Sequence, residues 1–334
     1  MKELSRKFCV APMMDWSDRH CRFFHRQLTR HAVLYTEMVT ADAVLRGNRE
    51  RLLGFSSDEH PVALQLGGSD PAKLAAAAEV GAEFGYDEIN LNVGCPSDRV
   101  QEGRFGACLM AEPGLVADCV RAMRDRVTIP VTVKCRIGID DQDEERDFQR
   151  FIETLADTGC TTFIVHARKA WLKGLSPKEN REVPPLDYAR VYRLKQAKPE
   201  LEIIINGGIE SLDACDDHLR HVDGVMLGRA AYHDPALLGA VDRRYFDPAT
   251  PERHRAEALL ALVPYAERHI AGGGRLSNIT RHVLGLYQGR PRGRLFRRYL
   301  SETANGIEAR AHIISDAVHL IERGEVAEPV QAAQ

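Results

Sequence analysis

Short runs rich in β-branched and aliphatic residues recur along the first part of the chain, at 8–14, 32–39, 61–67, 87–94, 130–138, 161–168, 202–209 and 224–231. Each predicts a strand, and the stretches 71–84, 113–126, 147–158, 186–197 and 212–219 between them carry the apolar spacing of amphipathic helices. Strand then helix, repeated eight times, is the pattern of an α/β protein of the (β/α)8 TIM barrel type. A doubly wound open sheet is the rival. It normally carries Gly-x-Gly-x-x-Gly after an early strand, and the chain has no such run. After about residue 245 the strand pattern stops, and 251–323 reads as helices broken by Gly272-Gly273-Gly274 and by Gly289 and Gly293. The expected organisation is therefore a barrel over 1–245, a small all-helical C-terminal domain over 246–325 and a polar tail over 326–334.

Alternation along the strands places side chains two apart on one face, and the inward face of a barrel ends at its catalytic mouth. Polar residues gather at those ends: Gln65, Asn90 and Asn92, Lys134 and Arg136 in line with Thr132, His166 and Arg168 in line with Ile164, and Asn206 in line with Ile204. Any one of them alone reads as a satisfied core polar group. Five strands with the same bias point to a polar ligand at the mouth, because isolated buried charges cost several kcal/mol.

Charge and composition narrow the classes. With 45 Lys and Arg against 48 Asp and Glu the net charge is −3, which argues against indiscriminate nucleic-acid binding. The distribution is uneven, however: from 268 to 301 there are arginines at 268, 275, 281, 290, 292, 294, 297 and 298 and no acidic residue. A stretch of one sign is a phosphate-binding candidate rather than an ordinary solvated face. Tyr287, Phe296 and Tyr299 are interleaved with it and fit either base stacking or helix packing. No apolar run approaches the ~18 residues of a membrane span, and the start resembles no signal peptide, so a cytoplasmic protein without a membrane partner is expected. Eight cysteines without a Cys-x-x-Cys pair predict no metal site. His20, Cys21 and His25 read as a helical surface rather than as ligands.

The seventh and eighth strands end in Asn206-Gly207-Gly208 and Leu227-Gly228-Arg229. Loops at these places in such barrels commonly hold a phosphate on glycine N–H groups. With Lys134 at the mouth of the fifth strand, the length and charge suit a flavin mononucleotide, whose reduced anionic ring a lysine stabilises. A Schiff-base lysine is the competing reading. Cys95 lies between Gly94 and Pro96 after the fourth strand, in a turn that presents its thiol as nucleophile or proton donor. No histidine adjoins it in sequence, which gives papain-like hydrolysis little support.

These residues resemble the tRNA-dihydrouridine synthases, and within them the A class, over roughly residues 6 to 322. The resemblance is carried by Ala11-Pro12-Met13-Met14-Asp15, Gln65-Leu66-Gly67, Leu91-Asn92-Val93-Gly94-Cys95-Pro96-Ser97, Val133-Lys134 and His166-Ala167-Arg168-Lys169-Ala170-Trp171. Leu175-Ser176-Pro177-Lys178-Glu179-Asn180-Arg181, Ile205-Asn206-Gly207-Gly208 and Gly228-Arg229 complete it. Phe296 and Cys135 stand where the family pattern has tryptophan and threonine.

The resemblance implies an FMN-binding barrel followed by a helical tRNA-binding domain, an enzyme that reduces uridine to 5,6-dihydrouridine in tRNA with NADPH as reductant. For the A class the expected targets are D-loop positions 20 and 20a. It implies FMN on Pro12, Met13, Met14, Gln65, Lys134, His166, Asn206, Gly207, Gly208, Gly228 and Arg229, and Cys95 as the acid that protonates uracil C5 after hydride reaches C6. It implies tRNA contacts at Asn92, Lys178, Arg181, Arg294 and Arg297. No obligate protein partner is expected. Two alternatives remain: a flavin barrel acting on a free pyrimidine, which gives no reason for the acid-free arginine stretch, and a tRNA-binding protein in which Cys95 is dispensable.

Overall fold

The computed structural model describes residues 4–322. The expected tail, 326–334, and the residues 323–325 before it lie outside them. Among the described residues, β1 (Phe8–Val10), β2 (Val33–Thr40), β3 (Val62–Gly67), β4 (Glu88–Val93), β5 (Val131–Arg136), β6 (Thr162–His166), β7 (Glu202–Asn206) and β8 (Gly224–Leu227) close into a parallel barrel in chain order, with β8 paired back to β1. Parallel strands are covered on both faces, which is why Ile203-Ile204-Ile205 and Phe163-Ile164-Val165 read as unbroken apolar runs and are fully buried.

Helices Pro71–Glu83, Pro113–Arg124, Arg146–Ala156, Tyr188–Ala197 and Leu212–Leu219 fall within a few residues of their expected ranges. Asp70, Asp187 and Ser211 cap three of them by accepting backbone N–H bonds. The first and last expected strands are too long. β1 ends at Val10 because the chain turns at once, the N–H groups of Trp16 and Ser17 both reaching Met13 O. β8 ends at Leu227, and 229–231, expected as strand, open the helix Arg229–His233. Gly228 separates the two, and nothing β-branched follows it.

The barrel interior has two parts. Cys9, Ala11, Val33, Tyr35, Ala63, Ile164, Ile204 and Met226 form its apolar filling. Below this, at the N-terminal end of the strands, lies a charged knot. Arg6 Nε donates to Glu88 at 2.6 Å and Arg6 Nη1 to Glu202 at 2.8 Å, while Tyr35 Oη and Thr132 Oγ1 donate to the other Glu88 oxygen at 2.7 and 2.6 Å. Burial works to lower the Arg6 guanidinium, but Glu88, Tyr35 and Glu202 leave it raised above its ordinary value, so it stays charged.

Residues 4–17 and His31–Gly228 form one compact unit; Asp18–Arg30 and 229–322 form the other. In the second, helices Arg255–Leu260, Leu262–Ala271, Gly293–Thr303 and His312–Glu322 bury apolar faces. Helix Arg19–Leu28 belongs to this unit, and on it the expectation of a surface for His20, Cys21 and His25 fails: Cys21 and His25 are buried and His20 is half-buried against Tyr265 Oη at 2.7 Å. Its alternating polar letters hide a two-sided helix, packed by Phe23 on Tyr265 and held at its start by Asp18. Asp18 also binds Arg281 at 2.5 Å and His282 at 3.1 Å. Burial opposes this carboxylate, but the bonds from His282, Cys21 N–H and Arg281 hold it well below the usual carboxylate range.

Candidate active site

Period-two alternation puts Glu88, Asn90 and Asn92 of β4 on the inward face, opposite Gln65 of β3 and Thr132 and Lys134 of β5. Their side chains meet. Gln65 Nε2 donates to Asn90 Oδ1 and Asn92 Nδ2 donates to Gln65 Oε1, both at 2.8 Å. Asn92 Oδ1 then accepts the backbone N–H groups of Gly94 and Cys95, each at 3.0 Å. That turn fixes Cys95 at the barrel mouth, half-buried, with its Sγ 3.5 Å from Ser97 Oγ. Cys95 O accepts Ala107 N–H at 2.9 Å across Gly106, whose φ of +75° and closeness to Cys95 O leave no room for a side chain.

Across the mouth, Lys134 Nζ donates to Asn206 Oδ1 at 3.2 Å, and Asn206 Nδ2 donates to Met226 O at 2.8 Å. Burial, with Arg136 beside it, lowers the Lys134 ammonium to about 8. His166 ends β6 and is half-buried. Burial and the surrounding Arg136, Lys134, Arg168 and Arg181 push it far below its ordinary value, so its imidazole is neutral. Its ring lies over Gly207, where an added Cβ would stand 2.8 Å from His166 Nε2 and 3.2 Å from Leu186 Cδ2. At Gly208 a Cβ would meet Leu186 at 2.6 Å, and both glycines have positive φ, +115° and +66°. Tyr188 Oη holds this turn through Gly207 O at 2.7 Å. The result is a bare backbone shelf beside a ring of cations.

Arg136 shares the inward face as expected, but it serves the loops rather than the cavity. Its Nε donates to Gly94 O, and its Nη1 donates to Lys169 O and Asn180 O, at 2.8 to 3.0 Å. Gln101 Nε2 repeats the tie through Pro96 O and Leu172 O, both at 2.9 Å. The Cys95 turn and the 168–181 segment are thereby one assembly, whose second half is ordered by Asn180 on Trp171 and Leu175. Trp171, Lys178 and Arg181 remain exposed on it.

The remaining expected residues are placed as follows. Pro12 and Met13 line the rim after β1, with Met13 Sδ 3.6 Å from where a Cβ on Gly228 would lie, and Met14 is exposed. Arg229 heads the helix directly after Gly228. Asn92 is buried, with its amide already engaged in the loop, unlike the exposed Lys178. In the second unit all eight arginines of 268–301 are exposed. Among the described residues no carboxylate pairs with Arg290, Arg294, Arg297 or Arg298. The aromatics among them are not free for bases: Tyr287 and Phe296 are buried against each other at 4.9 Å, and Tyr299 bonds Asp316. Among the described residues no group of His, Cys, Asp or Glu is arranged to hold a metal.

Sequence reasoning missed Arg6, Glu88 and Tyr188. Glu88 had a signal, since it is an acid in step with Asn90 and Asn92 in an otherwise apolar strand. Arg6, before the first strand, had none.

Residues 9–322 match the family model described as dihydrouridine synthase. The chain is similar to the tRNA-dihydrouridine(20/20a) synthase of Yersinia pestis, 56% identical over 95% of this chain and 92% of that protein. It is similarly related to proteins of the same name from Salmonella typhi (58%; 94% and 95%) and Escherichia coli strain K12 (57%; 95% and 92%). A solved structure of 2-naphthoyl-CoA reductase shares the fold, with a TM-score of 0.55 at 10% identity over 70% of this chain and 49% of that one.

Proposed function

The chain belongs to the dihydrouridine synthase family, and from that premise we propose that it reduces uridine to 5,6-dihydrouridine in the D-loop of tRNA, at positions 20 and 20a, with FMN as bound cofactor and NADPH as reductant. The observation that carries this reading is the pairing of a thiol fixed on one side of the barrel mouth by Asn92 with a lysine, a neutral histidine and a glycine shelf on the other.

The residues fit a flavin phosphate and ring. The Gly207-Gly208 backbone is a cradle that a Cβ would fill, and Gly228, Gln65, Pro12, Met13 and Met14 are the further residues assigned to the flavin in this reading. Among the described residues Lys134 has one side-chain partner, Asn206, which leaves ammonium N–H groups for an electron-rich ring edge. When bound, FMN supplies the hydride for uracil C6 after taking one from NADPH.

The protein's own part is proton placement and binding. Hydride addition leaves negative charge over C5 and O4, and the Cys95 thiol gives its proton to C5 from the opposite face. Lys134 holds positive charge near the reacting ring, and neutral His166 offers one donor and one acceptor to the pyrimidine edge. Lys178, Arg181, Arg294 and Arg297 take tRNA phosphates while the target base is turned out of its stack, with Asn92 at the turn that receives it. A Schiff-base lysine would also need the lowered Lys134, but it gives no use for a buttressed Cys95.

The test is anaerobic. Protein with its flavin reduced is mixed with tRNA lacking dihydrouridine, and the return of visible flavin absorption is followed. Reoxidation by tRNA, with none by free uracil or orotate, is the expected result. Reoxidation by the free pyrimidine alone overturns the tRNA assignment, and a protein that binds no flavin overturns the cofactor.

A further inference from the structure

The inward-facing polar groups of β3, β4 and β5 form a directed chain from the base of the barrel to its mouth. Thr132 Oγ1 donates to Glu88 Oε1 at 2.6 Å, Asn90 Nδ2 donates to Thr132 Oγ1 at 2.8 Å, Gln65 Nε2 donates to Asn90 Oδ1, and Asn92 Nδ2 donates to Gln65 Oε1. The chain ends where Gly94 N–H and Cys95 N–H donate to Asn92 Oδ1. Glu88, Asn90 and Thr132 are fully buried, and Gln65 is 1% exposed.

The direction of such a chain is not arbitrary. An amide side chain presents an acceptor at one end and a donor at the other, so each amide dictates the orientation of the next. Glu88 supplies the fixed end. Held by Arg6 on Oε2, it presents Oε1 as an acceptor to both Tyr35 Oη and Thr132 Oγ1. Thr132 then spends its one proton on Glu88 and accepts from Asn90, and the same logic runs through Gln65 to Asn92, whose oxygen must face the Cys95 turn. Reversed, the chain would set Asn92 Nδ2 against the N–H groups of Gly94 and Cys95, donor against donor. A buried ion pair such as Arg6 with Glu88 adds little net stability for its desolvation cost, whereas its ionised carboxylate accepts at both oxygens and so supplies a fixed reference for orientation.

We propose that Glu88 is a positioning residue for Cys95, setting through Thr132, Asn90 and Gln65 the orientation of the Asn92 amide that holds the proton-donating turn at the barrel mouth. The inference rests on the role of Cys95 proposed above. It assigns a job to a carboxylate that touches neither substrate nor cofactor.

The experiment cuts the chain at Thr132, leaving the Arg6–Glu88 pair in place. Thr132→Val removes the hydroxyl at nearly constant shape, and Thr132→Ser restores it. In Thr132→Val, oxidation of the reduced flavin by tRNA should slow on the order of tenfold, the scale of a small misplacement of a reacting group. Flavin reduction by NADPH should slow less than its oxidation by tRNA. Amide hydrogen exchange in the peptide carrying Gly94 and Cys95 should speed up, and Thr132→Ser should return both readouts to wild type. Equal exchange and equal oxidation in Thr132→Val overturn the proposal, as does a slow Thr132→Ser enzyme. Should Thr132→Val not fold, Asn90→Ala cuts the chain one link further on, and the same two readouts decide. Exchange at Gly94 and Cys95 needs no substrate, so a wild-type flavin that tRNA fails to oxidise would refute the functional reading while the positioning chain is still tested.

Discussion

Replacing Gly207 by alanine tests whether the bare shelf beneath His166 is a requirement of the site. Two costs follow from the structure. The first is conformational, since φ at Gly207 is +115°, a region that costs a residue with a Cβ about 1 to 3 kcal/mol. The second is steric: the new Cβ would overlap His166 Cδ2 and stand 2.8 Å from Nε2, where ordinary contact is about 3.5 Å or more, so the ring must withdraw by more than about 0.7 Å. Leu186 at 3.2 Å blocks sideways relief. Gly85→Ala isolates the first cost, because its φ is +91° and nothing lies within 4 Å of the added carbon. Urea midpoints and flavin content after gel filtration are the assays. Gly85→Ala should lose about 1 to 2 kcal/mol and keep its flavin. Gly207→Ala should lose more and retain flavin poorly. If the two variants lose the same stability and both keep flavin at wild-type levels, the contact between shelf and histidine is not what the site depends on.

Cys95→Ala should bind tRNA normally and form product at least ~100-fold more slowly, the usual scale for a lost general acid; equal turnover would remove Cys95 from the chemistry. Arg294→Ala combined with Arg297→Ala should weaken tRNA binding and reduce its salt slope by about 2, one for each phosphate contact, as measured by titration across a salt series. Burial first, and then His282 and Arg26, lower His25 from 6.5 to about 3, so the unfolded chain takes up a proton that the folded chain refuses. Stability is therefore full above pH 6.5 and falls as pH drops below it, by about 2 kcal/mol at pH 5 from this group. His25→Leu should flatten the urea midpoint between pH 7 and 5 by that amount, and an unchanged slope would show the group protonated in the folded state.

The barrel and much of its mouth were legible in the sequence, because both follow from local rules. Period-two alternation alone puts Gln65, Asn92, Lys134, His166 and Asn206 inward, and strand polarity puts them at one end. Gly207 and Gly208 announce a turn that needs positive φ. Where the local rule is weak, pattern and structure differ, as at 229–231, where one glycine ends a strand and the same apolar letters continue as a helix.

What the tertiary structure decided are the relations between residues distant in sequence. Arg6 meets Glu88 and Glu202 across 82 and 196 residues, and only barrel closure brings them together. Asn92 was legible as a residue at the mouth, yet its amide is engaged by Gln65 on one side and by the Gly94 and Cys95 N–H groups on the other. On helix Arg19–Leu28 the letters do not say that residues more than 200 positions later cover His20 and hold Asp18. Periodicity states which face a side chain takes. Which partner waits there, and therefore whether the group is a ligand contact, a cap or a buttress, depends on chain closure over long distances, and no local pattern encodes it.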